Sequence, residues 1–457
     1  MKNKRGITKS LASIFIALII ILIGNPIHSI AASKSSLTKT QTYTITEKSK
    51  PSANIQKLDT YNKYTEDWYL FNETFEKCEK AGGGKVVVKK GTYNICRPVY
   101  IPSNVTFLLE DGVAIKKLTK TGTTILDATK SLFVLVEPSK AKVSGAHSLY
   151  DGVHNVRIIG EGNAVIDLDF MVGSIGFAMA HNKDISYEGV TFKNMNTGHF
   201  IELDASLDIT INNCIFSGSK QSPKINKEAI NIDTPDKITG GFSQTWTSYD
   251  KTPVKNLTVT NCTFEEIDVA IGTHKYSQNK DENGKYTINM THENIVIKNN
   301  KFLNIRKTAF AVINWDNITV EDNLFDGGGY TIKLSSTGEE VFCGSRAFIA
   351  TAVTKFIFRN NTLNNLNTVG GAYSASTGIG SASGVYTPIK TYITYEEMEH
   401  FKNNTFSNIE FQEVYFNSHT SEFYYDPEVI AERAVIGRDM RMPSILSFKT
   451  GVLAFYN

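Results

Sequence analysis

A nine-residue motif recurs along this chain and limits what it can fold into. One copy reads Asn294-Ile-Val-Ile-Lys-Asn-Asn-Lys-Phe302, and the next reads Asn317-Ile-Thr-Val-Glu-Asp-Asn-Leu-Phe325. Earlier copies occupy Asp184–Phe192, Asp208–Phe216 and Asn256–Phe264. Asn155–Gly160 opens the series, Lys355–Leu363 continues it, and Asn403–Phe406 keeps only the ending. Apolar and polar residues alternate within each copy, which makes a strand with one buried face. The Asn or Asp pair that follows tolerates the left-handed backbone of a sharp turn. The shortest spacings are 24 residues, from Phe192 to Phe216, and 23, from Phe302 to Phe325. A unit of that length cannot bury its apolar face alone, so the copies must stack. Stacked copies take the spacing of a parallel sheet, roughly 4.8 Å per coil.

The expected fold is therefore all-β, a right-handed parallel β-helix. Phe192, Phe216, Phe264, Phe302, Phe325 and Leu363 form one internal stack, and Asn300, Asn323 and Asn361 form an asparagine ladder. The longer spacings place loops between strands. A leucine-rich repeat is disfavoured because its Leu-x-x-Leu-x-Leu pattern is absent. A solenoid needs its ends covered. Trp68, Phe71, Phe75 and Cys78 recur at helical spacing before Gly82-Gly83-Gly84, which predicts an N-terminal capping helix over 65–81.

Lys2, Lys4, Arg5 and Lys9 precede an apolar run from Leu11 to Ile23, with small residues at Ser29, Ala31 and Ala32. That pattern is a secretory signal peptide. The expected organisation is signal peptide 1–31, flexible leader 32–56, β-helix 57–420 and a C-terminal cap or tail 421–457. The chain holds 48 basic and 46 acidic residues; without the four basic residues of the signal, 44 face 46. No basic surplus remains for nucleic acid, and no later stretch reaches the ~18 apolar residues of a membrane span. Five cysteines, an odd and sparse set, do not make a disulfide framework. Cys214 and Cys262, in matching contexts, read as stacked core thiols; a Cys78–Cys96 bridge is the alternative pairing. The expectation is a secreted, extracellular monomer.

Gly82-Gly-Gly-Lys-Val-Val-Val-Lys-Lys-Gly-Thr-Tyr93 and Ile101-Pro-Ser-Asn-Val-Thr-Phe-Leu-Leu-Glu-Asp-Gly-Val-Ala-Ile115 resemble the entry to the pectin-lyase-like β-helix superfamily. The resemblance runs from Gly82 to about Leu363 and is nearest to the polygalacturonase family of glycoside hydrolases. The family's Asn-Thr-Asp-Gly-Ile-Asp-Ile resembles Asn226–Ile232, with Glu228 in place of the first Asp. Its Asp-Asp-Cys-Ile-Ala-Ile resembles Ile267–Ile271, which keeps only Asp268. Its Arg-Ile-Lys resembles Thr331–Lys333, which keeps Lys333. Its Gly-His-Gly falls near Lys307–Ala309, where no histidine stands. The resemblance implies hydrolysis of an extracellular polysaccharide, one that can contain uronates, and no cofactor.

The residues themselves point to carboxylate chemistry. The segments after each stacked Phe include His199-Phe-Ile-Glu202-Leu-Asp204, Glu228-Ala-Ile-Asn231-Ile-Asp233 and Asp268-Val-Ala-Ile-Gly-Thr-His274. Equal places in neighbouring coils lie about 5 Å apart. His199, Glu228 and Asp268 are thus expected in one outward column, with Lys333 further along it; a one-residue shift pairs Asp233 with His274 instead. Glycoside hydrolysis needs two carboxyl groups roughly 5–5.5 Å apart for retention, or roughly 6.5–9.5 Å for inversion. Two acids that close raise one pKa and create the proton donor. The candidate catalytic residues are Glu228, Asp268, Asp233 and His274. His199, Glu202, Lys275, Lys333, Trp246 and Tyr249 are candidates for holding substrate.

Two other readings stay open. A polysaccharide lyase or epimerase would take its base from His274 or Lys275. A non-catalytic β-helix would bind glycan through aromatic faces such as Trp246 and Tyr249. No metal-ligand spacing stands out in the sequence. The expected partner is a polysaccharide, with neither nucleic acid nor, after signal cleavage, membrane.

Overall fold

In the computed structural model the described residues are 41–409, 411–416, 444–449 and 452–456, apart from 222–226, 334–335, 374–384, 395 and 398–399. The signal segment and residues 421–443 of the expected C-terminal cap or tail lie outside them. The chain coils into a right-handed parallel β-helix, and among the described residues its three long sheets have ten, twelve and ten strands. Each turn gives one strand to each sheet, because the alternating motif buries one face and a second and third short strand complete the triangle. The motif strands pair in order, with Ile209 opposite Leu257, Leu257 opposite Ile295, and Ile295 opposite Ile318.

The interior follows the predicted columns. Phe192, Phe216, Phe264, Phe302 and Phe325 stack with ring centres 5.0, 4.7, 5.1 and 4.9 Å apart. Leu363 sits opposite Phe325, and Phe406 opposite Leu363 carries the column one coil further. The two residues of each Asn pair have different tasks. The first takes the left-handed turn, as at Asn261, Asn299, Asp322 and Asn360 with φ of 55, 57, 57 and 55°. The second turns inward. Asn300 Nδ2 donates to Asn323 Oδ1 at 3.1 Å, and Asn323 Nδ2 to Asn361 Oδ1 at 3.0 Å. Asn404 extends this ladder by one rung at 3.0 Å. Each Nδ2 also donates to a backbone carbonyl of the coil before, which satisfies a buried turn. Cys214 and Cys262 take the same place in earlier coils, and the Cys214 amide points at Cys262 Sγ, 3.4 Å away. All five cysteines are free, so Cys78 and Cys96 form no bridge.

The capping helix spans Glu66–Ala81 and buries Leu70, Phe71, Phe75 and Cys78 against the first coils. Phe75 meets Phe107 edge-on at 5.3 Å. The helix stops at Gly82, whose φ of 77° suits glycine. Residues 42–45, inside the stretch expected to be a flexible leader, instead pair in parallel with Lys85–Val88. Ile45 is buried there, so even a polar segment gains enough apolar and backbone contact to order. At the other end Phe411–Phe416 follows Thr368–Tyr373 in parallel, and Ser444–Lys449 and Val452–Tyr456 extend the sheet antiparallel.

Candidate functional site

The residues of interest lie on successive strands of the twelve-stranded sheet: His199–Asp204, Glu228–Asp233, Val269–Gly272 and Thr308–Ile313. Ile201, Ile230, Ile271 and Phe310 share one inward column. Phe200, Ala229, Ala270 and Ala309, each one residue earlier, are also in the core. Two consecutive residues therefore face inward at the start of every strand. That bend sets the outer columns: Glu202, Asn231 and Gly272 lie side by side, and Asp204 lies opposite Asp233.

This register corrects one expectation. Glu228 stands opposite Val269, not Asp268. Asp268 instead binds Arg306, Oδ1 to Nε at 2.6 Å, and faces Lys307 Nζ at 3.4 Å. The one-residue alternative is the one observed. His274 Nδ1 lies 3.5 Å from Asp233 Oδ2, and its Nε2 lies 2.5 Å from Glu228 Oε2. His199 joins them: its Nδ1–H donates to the Glu228 carbonyl at 2.7 Å, and its Nε2 is 3.5 Å from Glu202 Oε2. Asn231 Nδ2 donates to Glu202 Oε1 at 3.2 Å and to Asp233 Oδ2 at 3.3 Å.

The other expected residues fall elsewhere. Lys333 does not extend the column; it sits on an antiparallel hairpin of Gly329–Lys333 with Glu340–Gly344 that leaves the coil. Trp246 offers no exposed face. It is buried with Phe242 against Val134, Ala178 and Ala205, because the preceding coils carry small apolar residues on this outer face. Tyr249 has the Lys237 ammonium 5.1 Å from its ring centre. Lys275 Nζ donates to the Thr239 carbonyl, which ties the same loop down. Trp315 is buried, its Nε1–H donating to Thr273 Oγ1 at 2.8 Å.

Loop 234–254 roofs the cluster. His147 and Trp246 share a backbone bond of 3.1 Å, and His147 Nε2 meets Glu137 at 2.7 Å. His181 Nε2 meets Thr247 Oγ1 at 2.7 Å. Under this roof the acids are not exposed strand residues, as the alternation alone suggested: Glu228 is 1% and Glu202 7% exposed. A groove of about 460 Å³ opens beside them, walled by Lys130, His199, Glu202, Lys227 and Phe242.

Burial shapes the electrostatics. Desolvation, with the Asp233 charge, pushes Glu202 up to about 7. Desolvation, with Glu202 and Asp233, holds Asp204 well above the usual carboxylate range. Desolvation and the His274 charge bring His199 down to about 3. Burial opposes charge on His274 too, yet contact with Asp233 and Glu228 wins and carries it up to about 11. Both Asp204 oxygens, Asn231 Oδ1, Glu228 Oε2 and His274 Nε2 are buried without a hydrogen bond. The 2.5 Å contact between the last two atoms is near enough for an ion pair but too poorly aligned for a hydrogen bond.

Asn231, Gly272, Lys130 and Lys227 were not read from the sequence as site residues. Matching Ala229-Ile230 with Ala270-Ile271 would have revealed the register, since those residues point inward together. A Cβ at Gly272 would stand 2.6 Å from Glu228 Cγ, so the glycine leaves the space that the Glu228 side chain fills.

No family model matches the chain. It is similar to plasmin and fibronectin-binding protein A of Streptococcus pneumoniae, 26% identical over 265 residues, which is 54% of this chain and 35% of that protein. The chain therefore spans about a third of the length of the curated relative it matches. A crystal structure of that surface adhesin, PfbA, aligns with a TM-score of 0.50 at 15% identity, covering 90% of this chain and 100% of that one. The likeness is one of fold. The tailspike of E. coli bacteriophage HK620, solved with a pentasaccharide, aligns at 12% identity and a TM-score of 0.44, over 79% of this chain and 62% of the other.

Proposed function

We propose that this protein is an extracellular carbohydrate-active β-helix that hydrolyses glycosidic bonds in the groove beside Glu202. The observation that carries the reading is the shared amide: Asn231 Nδ2 holds Glu202 and Asp233 together beside an open groove. Those two bonds laid end to end reach no further than the lower edge of the roughly 6.5–9.5 Å used for inversion, so the pair suits retention. Glu202, which lines the groove, is the proton donor to the leaving oxygen. Asp233 is the carboxylate that meets the sugar. Burying this many ionisable groups costs stability, and such clusters gather where chemistry is done.

The test is a polysaccharide panel assayed for reducing ends and for the ultraviolet absorbance of unsaturated uronates. Reducing ends without absorbance support hydrolysis. Glu202→Gln then loses about 10²–10⁴-fold in rate, the share of a general acid, while melting like the parent. Absorbance would transfer the reading to a lyase. A second reading is favoured by the likeness to PfbA: a non-catalytic surface protein that binds glycan or host protein in this groove. It predicts no turnover on any member of the panel, with binding retained in Glu202→Gln.

A further inference from the structure

We infer that His199, Glu228 and His274 form a binding site for a divalent transition metal of the zinc class, open toward the groove. This goes beyond the glycan reading and does not depend on it. The three side chains bring one donor atom each within 4.8 Å of one another. Two imidazoles and one carboxylate are the donor set of open zinc sites.

Each histidine is oriented for such a site. His199 Nδ1–H donates to the Glu228 carbonyl at 2.7 Å and stands 4.0 Å from Glu228 Oε2, which fixes the tautomer and leaves the lone pair on Nε2, 3.5 Å from Glu202 Oε2. His274 Nδ1 faces the Asp233 carboxylate at 3.5 Å, which likewise leaves Nε2 for a ligand. An outer carbonyl or carboxylate on the far nitrogen is the usual support of a metal-bound imidazole. The two ring centres stand 5.4 Å apart. Two imidazoles on one tetrahedral ion, with bonds of about 2.0–2.1 Å, place their centres about 5 Å apart.

The carboxylate fits the same picture. Glu228 is 1% exposed and its Oε2 has no hydrogen bond; neither has His274 Nε2, though the atoms are 2.5 Å apart. An ion between them would move these atoms about an ångström apart, given its bond lengths of about 2.0–2.2 Å, and satisfy both. Gly272 gives the Glu228 side chain its room. The fourth position faces Glu202, 3.5 Å from His199 Nε2, and the groove. The ligands come from three separate coils, which is why no short spacing betrays them.

The experiment uses the secreted chain, stripped with chelator and passed through gel filtration. Zinc chloride is titrated calorimetrically, and metal content is measured after dialysis. The expected result is one equivalent of zinc per chain and a melting temperature that rises with zinc. Asp233→Asn should weaken binding about 10–100-fold, as loss of an outer partner does. His199→Ala and His274→Ala should weaken it further, and His147→Ala should leave it unchanged. Retained stoichiometry and affinity in both ligand variants would overturn the site, as would absence of zinc binding by the parent. Should a variant fail to fold, cobalt chloride on the parent decides: an intense visible band of tetrahedral cobalt supports the site, and a weak octahedral spectrum removes it. These measurements contain no glycan, so their failure and the failure of the hydrolase reading are separate events.

Discussion

Asp204 lies directly opposite Asp233 on the next coil, and neither oxygen of Asp204 has a hydrogen bond. Two carboxylates cannot both ionise cheaply at adjacent-strand spacing. Asp204 is fully buried and its pKa is raised, so the folded chain keeps the proton that the unfolded chain releases. The sign follows: between the ordinary aspartate value and the raised one, the folded state binds more protons, so stability falls as pH rises. Asp204→Asn removes that slope while keeping the shape of the neutral acid. Melting temperatures taken from pH 4 to pH 8 should show the variant gaining steadily on the parent. Parallel curves would show that Asp204 is ionised in the fold.

The phenylalanine stack sets the stability of the coils. Phe264 is fully buried between Phe216 and Phe302, at 4.7 and 5.1 Å. Phe264→Ala should cost about 3–5 kcal/mol, the range for a large buried aromatic. Denaturant unfolding measures it, and a loss under about 1 kcal/mol, as for a surface substitution, would contradict the packing.

Asp268 should behave unlike Glu202. Its carboxylate is 1% exposed and bound to Arg306 at 2.6 Å. Asp268→Asn removes the charge that faces Arg306 and Lys307 and should cost about 3 kcal/mol, the low end for a broken buried pair because Arg306 keeps its bonds to the Glu266 and Ser219 carbonyls. Activity per folded molecule should hold. A variant that melts like the parent but loses turnover would return Asp268 to the chemistry.

Much of the fold was legible because its two signals are independent of side-chain detail. Alternation gave the strand, and the repeated Asn-Asn-x-Phe gave the stack and ladder, down to Asn300, Asn323 and Asn361. Of the expected residues, His199, Glu202, Glu228, Asp233 and His274 come together, while Asp268, Lys333 and Trp246 fall elsewhere. The slip was at Asp268: Ile230 stands opposite Ile271, which sets Val269 and not Asp268 beside Glu228, while His199 keeps its expected place. Burial was hidden for a different reason. The roof over Glu228 comes from residues 234–254, a polar loop whose anchors, His147 and His181, belong to earlier coils; His181 stands 66 residues before its partner Thr247 in the sequence but beside it in space. Lys333 misled because a hairpin interrupts the coil there.

Gly272 offers a way to sort sequences without any assay. Its missing side chain is the hollow that Glu228 occupies, since a Cβ would come within 2.6 Å of Glu228 Cγ. The two positions are therefore tied. A related chain with a side chain at 272 must surrender the glutamate or turn it away, and would be a scaffold of the same shape with the cluster dismantled. A chain that keeps both glycine and glutamate has kept the means to use it. One pair of letters, 44 positions apart, thus tells whether a related chain can carry the same buried cluster.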